Sequence, residues 1–213
     1  SPKDCPYTSY LRTSDIDHAV QSVHYTLDNT TYDREYFMNN PSNVMAIKLT
    51  SDKKNGLTRD IYLDSEQTQK EIVVDEANAT ITLTGQPLDQ EEDGLRFAKQ
   101  IKILAEGGSI EAIDSSTLSV KNADSIVVYM SAATNYQADF GTTYHYFTSE
   151  DPLTEVESAI QTAVTKGFDQ IRSEHIQDYK SLFDRVKFSI NDVPSSDKMT
   201  DDLLKDYGES NTA

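Results

Sequence analysis

Apolar and polar residues alternate with a period of two along most of the chain up to about residue 135. The runs are rich in β-branched and aromatic residues, and Asn, Asp, Gly or Ser separates them at intervals of about 10 residues. The pattern predicts ten strands: 19–27, 30–37, 43–50, 58–63, 70–75, 79–85, 95–106, 109–113, 117–121 and 124–133. Ten strands without interleaved helices predict a mainly β fold, an antiparallel β-sandwich over about 17–135, and argue against a parallel α/β fold.

Three short segments have the composition of tight turns between these strands. Asp28-Asn29 separates two strongly β-prone runs, and both residue types tolerate the positive φ of a two-residue hairpin. Gly107-Gly108 and Asp114-Ser115 separate later strands in the same way. The sequence therefore predicts hairpins, which join antiparallel neighbours.

The apolar period changes from two to 3.6 after residue 150. Asp151-Pro152 is a helix-start signal, and Gly167 follows the last periodic residue as a stop signal. The spacing predicts a helix near 154–166. The apolar face of this helix consists of Val156, Ile160, Ala163 and Val164.

A second helix is predicted over 168–185, and its presence so late in a β-rich chain requires an explanation. The helix begins with Phe168 and Ile171, and its apolar stripe continues with Ile176, Tyr179, Leu182, Phe183 and Val186. The pattern then predicts a short strand at 187–191. The remaining residues are polar apart from Met199, Leu203 and Leu204, and they predict a linker with one short helix.

Length and charge narrow the classes of partner. The 213 residues suffice for one sizeable core and are few for two. The chain has 36 acidic and 19 basic residues, and its net charge of −17 repels phosphate backbones and anionic lipid. Nucleic acid and membrane surfaces are therefore excluded as expected partners, whereas neutral ligands remain open.

No pattern in the sequence specifies catalysis, a metal or a cofactor. Cys5 is the only cysteine, which excludes an internal disulfide framework and leaves open whether the protein is intracellular, secreted, periplasmic or on a bacterial cell surface. The acidic stretch 89–94 resembles the start of a calcium loop, but Gln100 stands where a bidentate Glu is required. The four histidines are too scattered for a metal site, and His175, beside the helix stripe, is expected to be packed.

An aromatic stretch at 135–147 is the one candidate binding surface. Aromatic rings stack on sugar faces, so this stretch is a candidate contact for carbohydrate; the alternative is that its rings seal the end of the sandwich or face a neighbouring domain. Packing is the favoured interpretation of the two. The candidate residues for carbohydrate or domain contact are Tyr136, Phe140, Tyr144, His145 and Tyr146, alongside Phe147 in the same stretch.

Four segments, in this order and spacing, resemble a known family. They are AVQSVHYTLDNTTYDREYF (19–37), DGLRFAKQIKILAEGG (93–108), SAATNY (131–136) and DYKSLFDRVKFSI (178–190). Together they are similar to the N-terminal domain region of glycoside hydrolase family 95, the α-L-fucosidases, which is related to the N-terminal domains of family 65 enzymes. The resemblance spans about residues 10–190.

The resemblance implies a supersandwich-like domain at 1–150 and a helical linker at 151–213 that leads to an absent (α/α)6 barrel. That barrel is the implied partner, and it carries the groups of an inverting hydrolysis that removes terminal fucose from glycans. No catalytic residue is implied within this chain, so the chain alone is expected to be inactive.

The resemblance also implies that the first strands of the sandwich are missing, so uncovered surface is expected to cause self-association. A different interpretation of the sequence is a free-standing carbohydrate-binding or adhesion module that uses the stretch 135–147.

Overall fold

The computed structural model describes residues 8–87, 94–138, 146–188 and 198–210. Residues 1–183 form one compact unit, and residues 184–213 form a second. The strands of the first unit are β1 (Ser9–Asp15), β2 (Val20–Leu27), β3 (Thr30–Asn39), β4 (Val44–Ser51), β5 (Leu57–Tyr62), β6 (Gln69–Asp75), β7 (Thr80–Gln86), β8 (Phe97–Glu106), β9 (Ser109–Ala112), β10 (Thr117–Ala123) and β11 (Ser125–Thr134).

These strands form two antiparallel sheets of unequal size. The large sheet has eight strands in the order β1-β2-β3-β4-β11-β8-β7-β6, and the small sheet has three in the order β5-β10-β9. The predicted mainly β, antiparallel fold is confirmed, and all ten predicted strands are present. The sequence interpretation missed β1, which pairs with β2 from Ser9 opposite Thr26 to Asp15 opposite Val20.

The predicted turns adopt the backbone that their residues favour. Asp28 and Asn29 have φ values of 50° and 59°, which suit the twist of a two-residue hairpin between β2 and β3. Gly107 and Gly108 have φ values of 70° and 68°. A Cβ at Gly108 would lie 2.1 Å from the carbonyl oxygen of Lys121, so glycine is required there for space as well as for conformation.

The main core lies between the two sheets. Alternate residues of β4, β11, β8 and β7 point towards the small sheet, and we call this side of the large sheet the small-sheet face. Its buried members contact apolar residues of β5 and β10. The buried residues of this core are Leu57, Leu63, Ile81, Leu83, Ile101, Ile103, Leu118, Val120, Ala123, Ile126 and Val128.

The opposite side of the large sheet, which we call the helix face, is covered by two helices, α1 (Pro152–Lys166) and α2 (Phe168–Phe183). Asp151 caps α1 by accepting a hydrogen bond from the Leu153 backbone N–H at 3.0 Å. Gly167, with φ at 78°, ends the helix. The buried residues between the helices and the sheet are Val20, Phe37, Val44, Ala46, Ala98 and Tyr129 from the strands and Val156, Ile160, Ala163 and Ile171 from the helices.

The predicted helices are confirmed, but the predicted apolar stripe of the second one is wrong in part. Leu182 is 62% exposed and Val186 is 76% exposed, whereas Ile171, also predicted as an apolar residue of this helix, is buried. The reason is that the buried residues of α2 lie in its first half, where the helix packs against β3 and β4. His175 is packed as expected: its ring stacks on Phe37 with centroids 5.0 Å apart.

The second unit contains the short helix that the sequence predicts, α3 (Thr200–Ser210). Lys187 and Phe188 belong to no strand, and the rest of the strand predicted at 187–191 lies outside the described residues. The domain boundary predicted at residue 150 stays a prediction. In the structure α1 and α2 belong to the same compact unit as the sheets.

Candidate functional site

The aromatic stretch begins and ends in a short antiparallel stem immediately after β11. Tyr136 forms an isolated bridge with Phe147. The Gln137 backbone N–H donates to the Tyr146 carbonyl at 2.8 Å. This stem carries three of the aromatic rings; the other three candidates, Phe140, Tyr144 and His145, lie outside the described residues.

The three described rings of the stem lie at the surface. Tyr136 and Tyr146 are nearly parallel, with an angle of 8° between the rings and 6.3 Å between their centroids. Phe147 meets Tyr136 edge to face, also at 6.3 Å. The exposed fractions are 55% for Tyr136, 36% for Tyr146 and 37% for Phe147. Exposed, mutually supported rings of this kind are suited to contact a sugar face or an apolar surface of another domain.

A buried amide holds the stem in place. The Asn135 side chain, in a residue only 4% exposed, accepts from the Arg96 backbone N–H at 2.7 Å. The same side chain donates to the carbonyls of Gly94 and Thr148, both at 3.2 Å. Arg96 in turn donates to the Glu150 carbonyl at 3.1 Å. Two of the four family-like segments, DGLRF and SAATNY, therefore meet here.

The sequence interpretation did not identify Asn135 and Arg96 as structural partners. The available signal was their membership of those two segments. Because their hydrogen bonds go to backbone groups distant in sequence, nothing in local periodicity indicates them.

A shallow groove of about 470 Å³ lies beside Arg96, between the end of the large sheet and the start of α1. Within its lining, Gln86 of β7 donates from its side chain to the side-chain oxygen of Gln69 on the neighbouring strand β6 at 2.7 Å. Amide, carboxylate and ammonium groups beside the half-buried Phe97 ring provide the donors and acceptors that a polyhydroxylated molecule uses. The lining residues are Gln69, Lys70, Glu71, Thr84, Gly85, Gln86, Arg96, Phe97, Asp151, Pro152 and Leu153.

Among the described residues, the carboxyl groups whose pKa clearly departs from its ordinary value all shift downward. A hydrogen bond from Lys70 lowers the pKa of Asp64, and one from Lys166 lowers the pKa of Glu174. A general acid in glycoside hydrolysis requires the opposite shift, because it must hold its proton near neutral pH. The carboxyl groups with a lowered pKa are Asp15, Asp64, Asp75, Asp114 and Glu174.

The described part of the chain brings no three His, Cys, Asp or Glu residues together in a way that suits a metal ion. His18 and His24 each contact a single carboxylate, and His175 contacts the Ala19 carbonyl at 3.0 Å. Gln100 lies within β8 and donates to the Thr82 hydroxyl at 2.8 Å, while residues 89–93 lie outside the described ranges. None of the helices described is both long and apolar enough to span a bilayer.

Comparison with protein families identifies the fold. The model of the glycosyl hydrolase family 65 N-terminal domain matches residues 1–139. The chain belongs to this family. Among solved structures, this family 65 N-terminal domain resembles a putative kojibiose phosphorylase from the human microbiome, with a TM-score of 0.54 and 10% sequence identity. That match covers 84% of this chain and 25% of the other, and it shows a shared fold.

Curated relatives of this family 65 N-terminal domain are named as fucosidases. The chain is 27% identical to alpha-L-fucosidase 2 of Arabidopsis thaliana over 202 residues, which are 86% of this chain and 24% of the relative. It is 28% identical to probable alpha-fucosidase A of Aspergillus niger over 207 residues, which are 94% of this chain and 26% of the relative. The chain thus spans about a quarter of the length of these relatives, and the resemblance proposed from the sequence is confirmed.

Proposed function

We propose that the chain is the non-catalytic N-terminal region of an α-L-fucosidase-like glycoside hydrolase. The supporting observation is that relatives named as fucosidases match nearly the whole chain while being about four times longer. In this proposal residues 1–150 are the sandwich, and residues 151–213 connect it to a catalytic (α/α)6 barrel. The barrel removes terminal fucose from glycans by inverting hydrolysis.

The sandwich supports the barrel in this proposal and does not take part in the reaction. Inverting hydrolysis requires an acid that protonates the leaving group and a base that activates water, about 6.5–9.5 Å apart across the bond. The lowered pKa values of the described carboxyl groups indicate carboxylates that are ionised and hydrogen-bonded at the surface. They do not suit an acid that must keep its proton until it protonates the leaving group. The partner domain therefore supplies the chemistry.

The test is to incubate the purified 213-residue chain, and separately the full-length parent protein, with 2′-fucosyllactose. We expect fucose release by the parent and none by the chain. Circular dichroism of the chain verifies that it is folded. Turnover by the chain that persists through repurification and disappears when one of its own carboxylates is replaced would contradict the proposal.

One observation favours a second function, direct contact with glycan. The Tyr136 and Tyr146 rings are parallel and exposed, and the stem that carries them is hydrogen-bonded through Asn135 to the backbone of Arg96, a residue that lines the groove. We expect millimolar affinity or weaker, about 4 kcal/mol of binding free energy. The affinity is measured by titrating 2′-fucosyllactose into the unaltered chain and into the Tyr136→Ala variant. Tyr62→Ala, at an exposed position distant in sequence, is the control. Equal binding by both variants would assign the tyrosines to domain packing.

A further inference from the structure

Three hairpin turns of the large sheet carry the residue pattern Asn-X-Ser/Thr. The triplets are Asn29-Thr30-Thr31 at the turn between β2 and β3, Asn40-Pro41-Ser42 between β3 and β4, and Asn78-Ala79-Thr80 between β6 and β7. This pattern is the acceptor for N-linked oligosaccharide in eukaryotic secretory proteins, except where its middle residue is proline. Asn29 and Asn78 are therefore open acceptors by sequence, whereas Pro41 closes the triplet at Asn40.

The two open triplets lie at the same end of the large sheet. Neighbouring strands of this sheet are antiparallel, and β2 and β6 are six places apart in the strand order, so they run in the same direction. Each of these two strands leads directly into an open triplet, and we call this end of the sheet the acceptor end. β3 and β11 run the opposite way. The closed triplet and the aromatic stem therefore lie at the other end, which we call the stem end.

Both open acceptors are exposed residues. Asn29 has a φ value of 59°, a left-handed conformation that asparagine tolerates. Asn78 donates from its side-chain amide to Asp75 at 2.7 Å. Attachment of a sugar replaces one of the two amide hydrogens, so the other remains available for such a bond. A bulky oligosaccharide at either turn therefore extends into solvent without disturbing the core.

The closed triplet, in contrast, contacts both helices. The Asn40 side chain donates to Asp178 of α2 at 3.3 Å. Ser42 is only 6% exposed, and its hydroxyl accepts from Lys166 of α1 at 3.2 Å. A glycan on Asn40 would lie beside α2 and interfere with these contacts. Pro41 therefore prevents modification at a turn where the sheet meets its helix layer.

We propose that Asn29 and Asn78 carry N-linked oligosaccharides, which cover the acceptor end of the sheet and leave the stem end free. In the transfer, the side-chain amide nitrogen forms a bond to the anomeric carbon of a lipid diphosphate-linked oligosaccharide. The bond from that carbon to the diphosphate oxygen breaks, the lipid diphosphate leaves with the electron pair, and the amide nitrogen loses one proton. The donor belongs to the eukaryotic secretory pathway, which plants and fungi, the sources of the relatives above, possess.

The first test maps the parent protein purified from its own source. Enzymatic release of N-glycans in water enriched in heavy oxygen converts a modified asparagine to labelled aspartate, which mass spectrometry of peptides locates. We expect the label at Asn29 and Asn78 and none at Asn40, which is the internal control. Unlabelled asparagine at positions 29 and 78 would overturn the proposal.

The second test does not depend on folding, because transfer occurs on the emerging chain. The 213-residue chain, fused to a cleavable secretion leader, is translated in the presence of microsomes. We expect two glycans, of which Thr31→Ala loses one and Thr80→Ala loses the other. Thr31→Ser preserves the acceptor pattern and is expected to keep both. A chain without glycans, or glycans that persist when both threonines are replaced by alanine, would overturn the proposal.

A third experiment compares the two ends of the sheet in chain secreted from mammalian cells. Pro41→Ala opens the triplet at Asn40, so we expect a third glycan and a several-fold lower yield of folded chain. The double variant Asn40→Gln, Pro41→Ala lacks the acceptor and is the matched control, with a yield close to that of the unaltered chain. Equal yields of the two variants would contradict the difference between the ends. A Pro41→Ala chain with only two glycans would contradict the role of Pro41. None of the three tests measures fucose release, so their failure is distinct from failure of the proposed function.

Discussion

Neighbouring residues of β3 show how the two faces of the large sheet differ. Phe37 points to the helix face and is 4% exposed, in edge-to-face contact with Phe168 at 5.3 Å. Met38, the next residue, points to the small-sheet face and is 60% exposed. Both side chains are apolar, and what differs is whether another layer lies above them. For these two residues burial is therefore set by the covering elements rather than by residue type.

The composition of the small-sheet face also changes where its covering layer ends. Under β5 and β10 the sheet presents Ile47, Ile103 and Val128, all of which pack in the main core. Beyond β5 the rows continue into tyrosine and arginine side chains, which carry a polar end with an apolar body. The change in composition coincides with the end of the small sheet.

The largest expected effect comes from truncating the two neighbours on β3. Phe37→Ala removes a ring that packs under α2, so we expect it to lower the free energy of unfolding by about 3–5 kcal/mol. Met38→Ala is the matched control and is expected to change it by less than about 0.5 kcal/mol. Chemical denaturation of the 213-residue chain measures both. Similar losses for the two variants would show that the small-sheet face of β3 is covered in solution.

The strands and helices were largely predictable because their signals are local. Period-two alternation, the Asp28-Asn29 turn and the helix-start signal at Asp151-Pro152 each depend on a few consecutive residues. β1 was not predictable in this way. Its first six residues are exposed, so no apolar alternation is required there, and its conformation depends on pairing with β2.

Only the aromatic composition of the candidate site could be predicted from the sequence. The aromatic stretch is visible in the sequence, but its anchor is the buried Asn135 side chain, which bonds to the backbone of Arg96 39 residues away. The cavity lined by Arg34 and Arg59 likewise requires the register of separate strands and the stacking of two sheets. Contacts of this kind depend on tertiary structure, and a linear pattern does not contain them.

A smaller effect is expected from the buried hydroxyl of Tyr129 on the helix face. Within the described residues this oxygen has no hydrogen-bond partner, and burial raises the pKa of Tyr129 to about 12. Because the pKa in the folded state is above the ordinary value of 10, this group's contribution is fully present below pH 10 and is lost as pH rises through about 12.

Tyr129→Phe removes the unpaired hydroxyl and keeps the ring. We expect the free energy of unfolding to stay equal or rise by about 1 kcal/mol at neutral pH, since no hydrogen bond is lost. We also expect a shallower loss of stability between pH 10 and pH 12. Tyr62→Phe, at an exposed position, is the control. A clear loss of stability in Tyr129→Phe would indicate a partner for the hydroxyl, such as an ordered water molecule.

The smallest expected effect concerns the ion pair that joins α1 to α2 above the helix face. Lys166 lies 2.7 Å from a carboxylate oxygen of Glu174, and this hydrogen bond lowers the pKa of Glu174. The stability that follows from a lowered pKa is present above the ordinary value of 4.5 and is lost as pH falls through the value in the folded state. Glu174→Gln should therefore flatten the pH dependence of the free energy of unfolding on the acid side. In 1 M salt the difference between this variant and the unaltered chain should be small, because the pair is partly exposed and salt screens it. Glu157→Gln, at an exposed position on α1, is the matched control. Identical acid-side profiles for Glu174→Gln and the unaltered chain would mean that this ion pair adds no measurable stability to the helix layer.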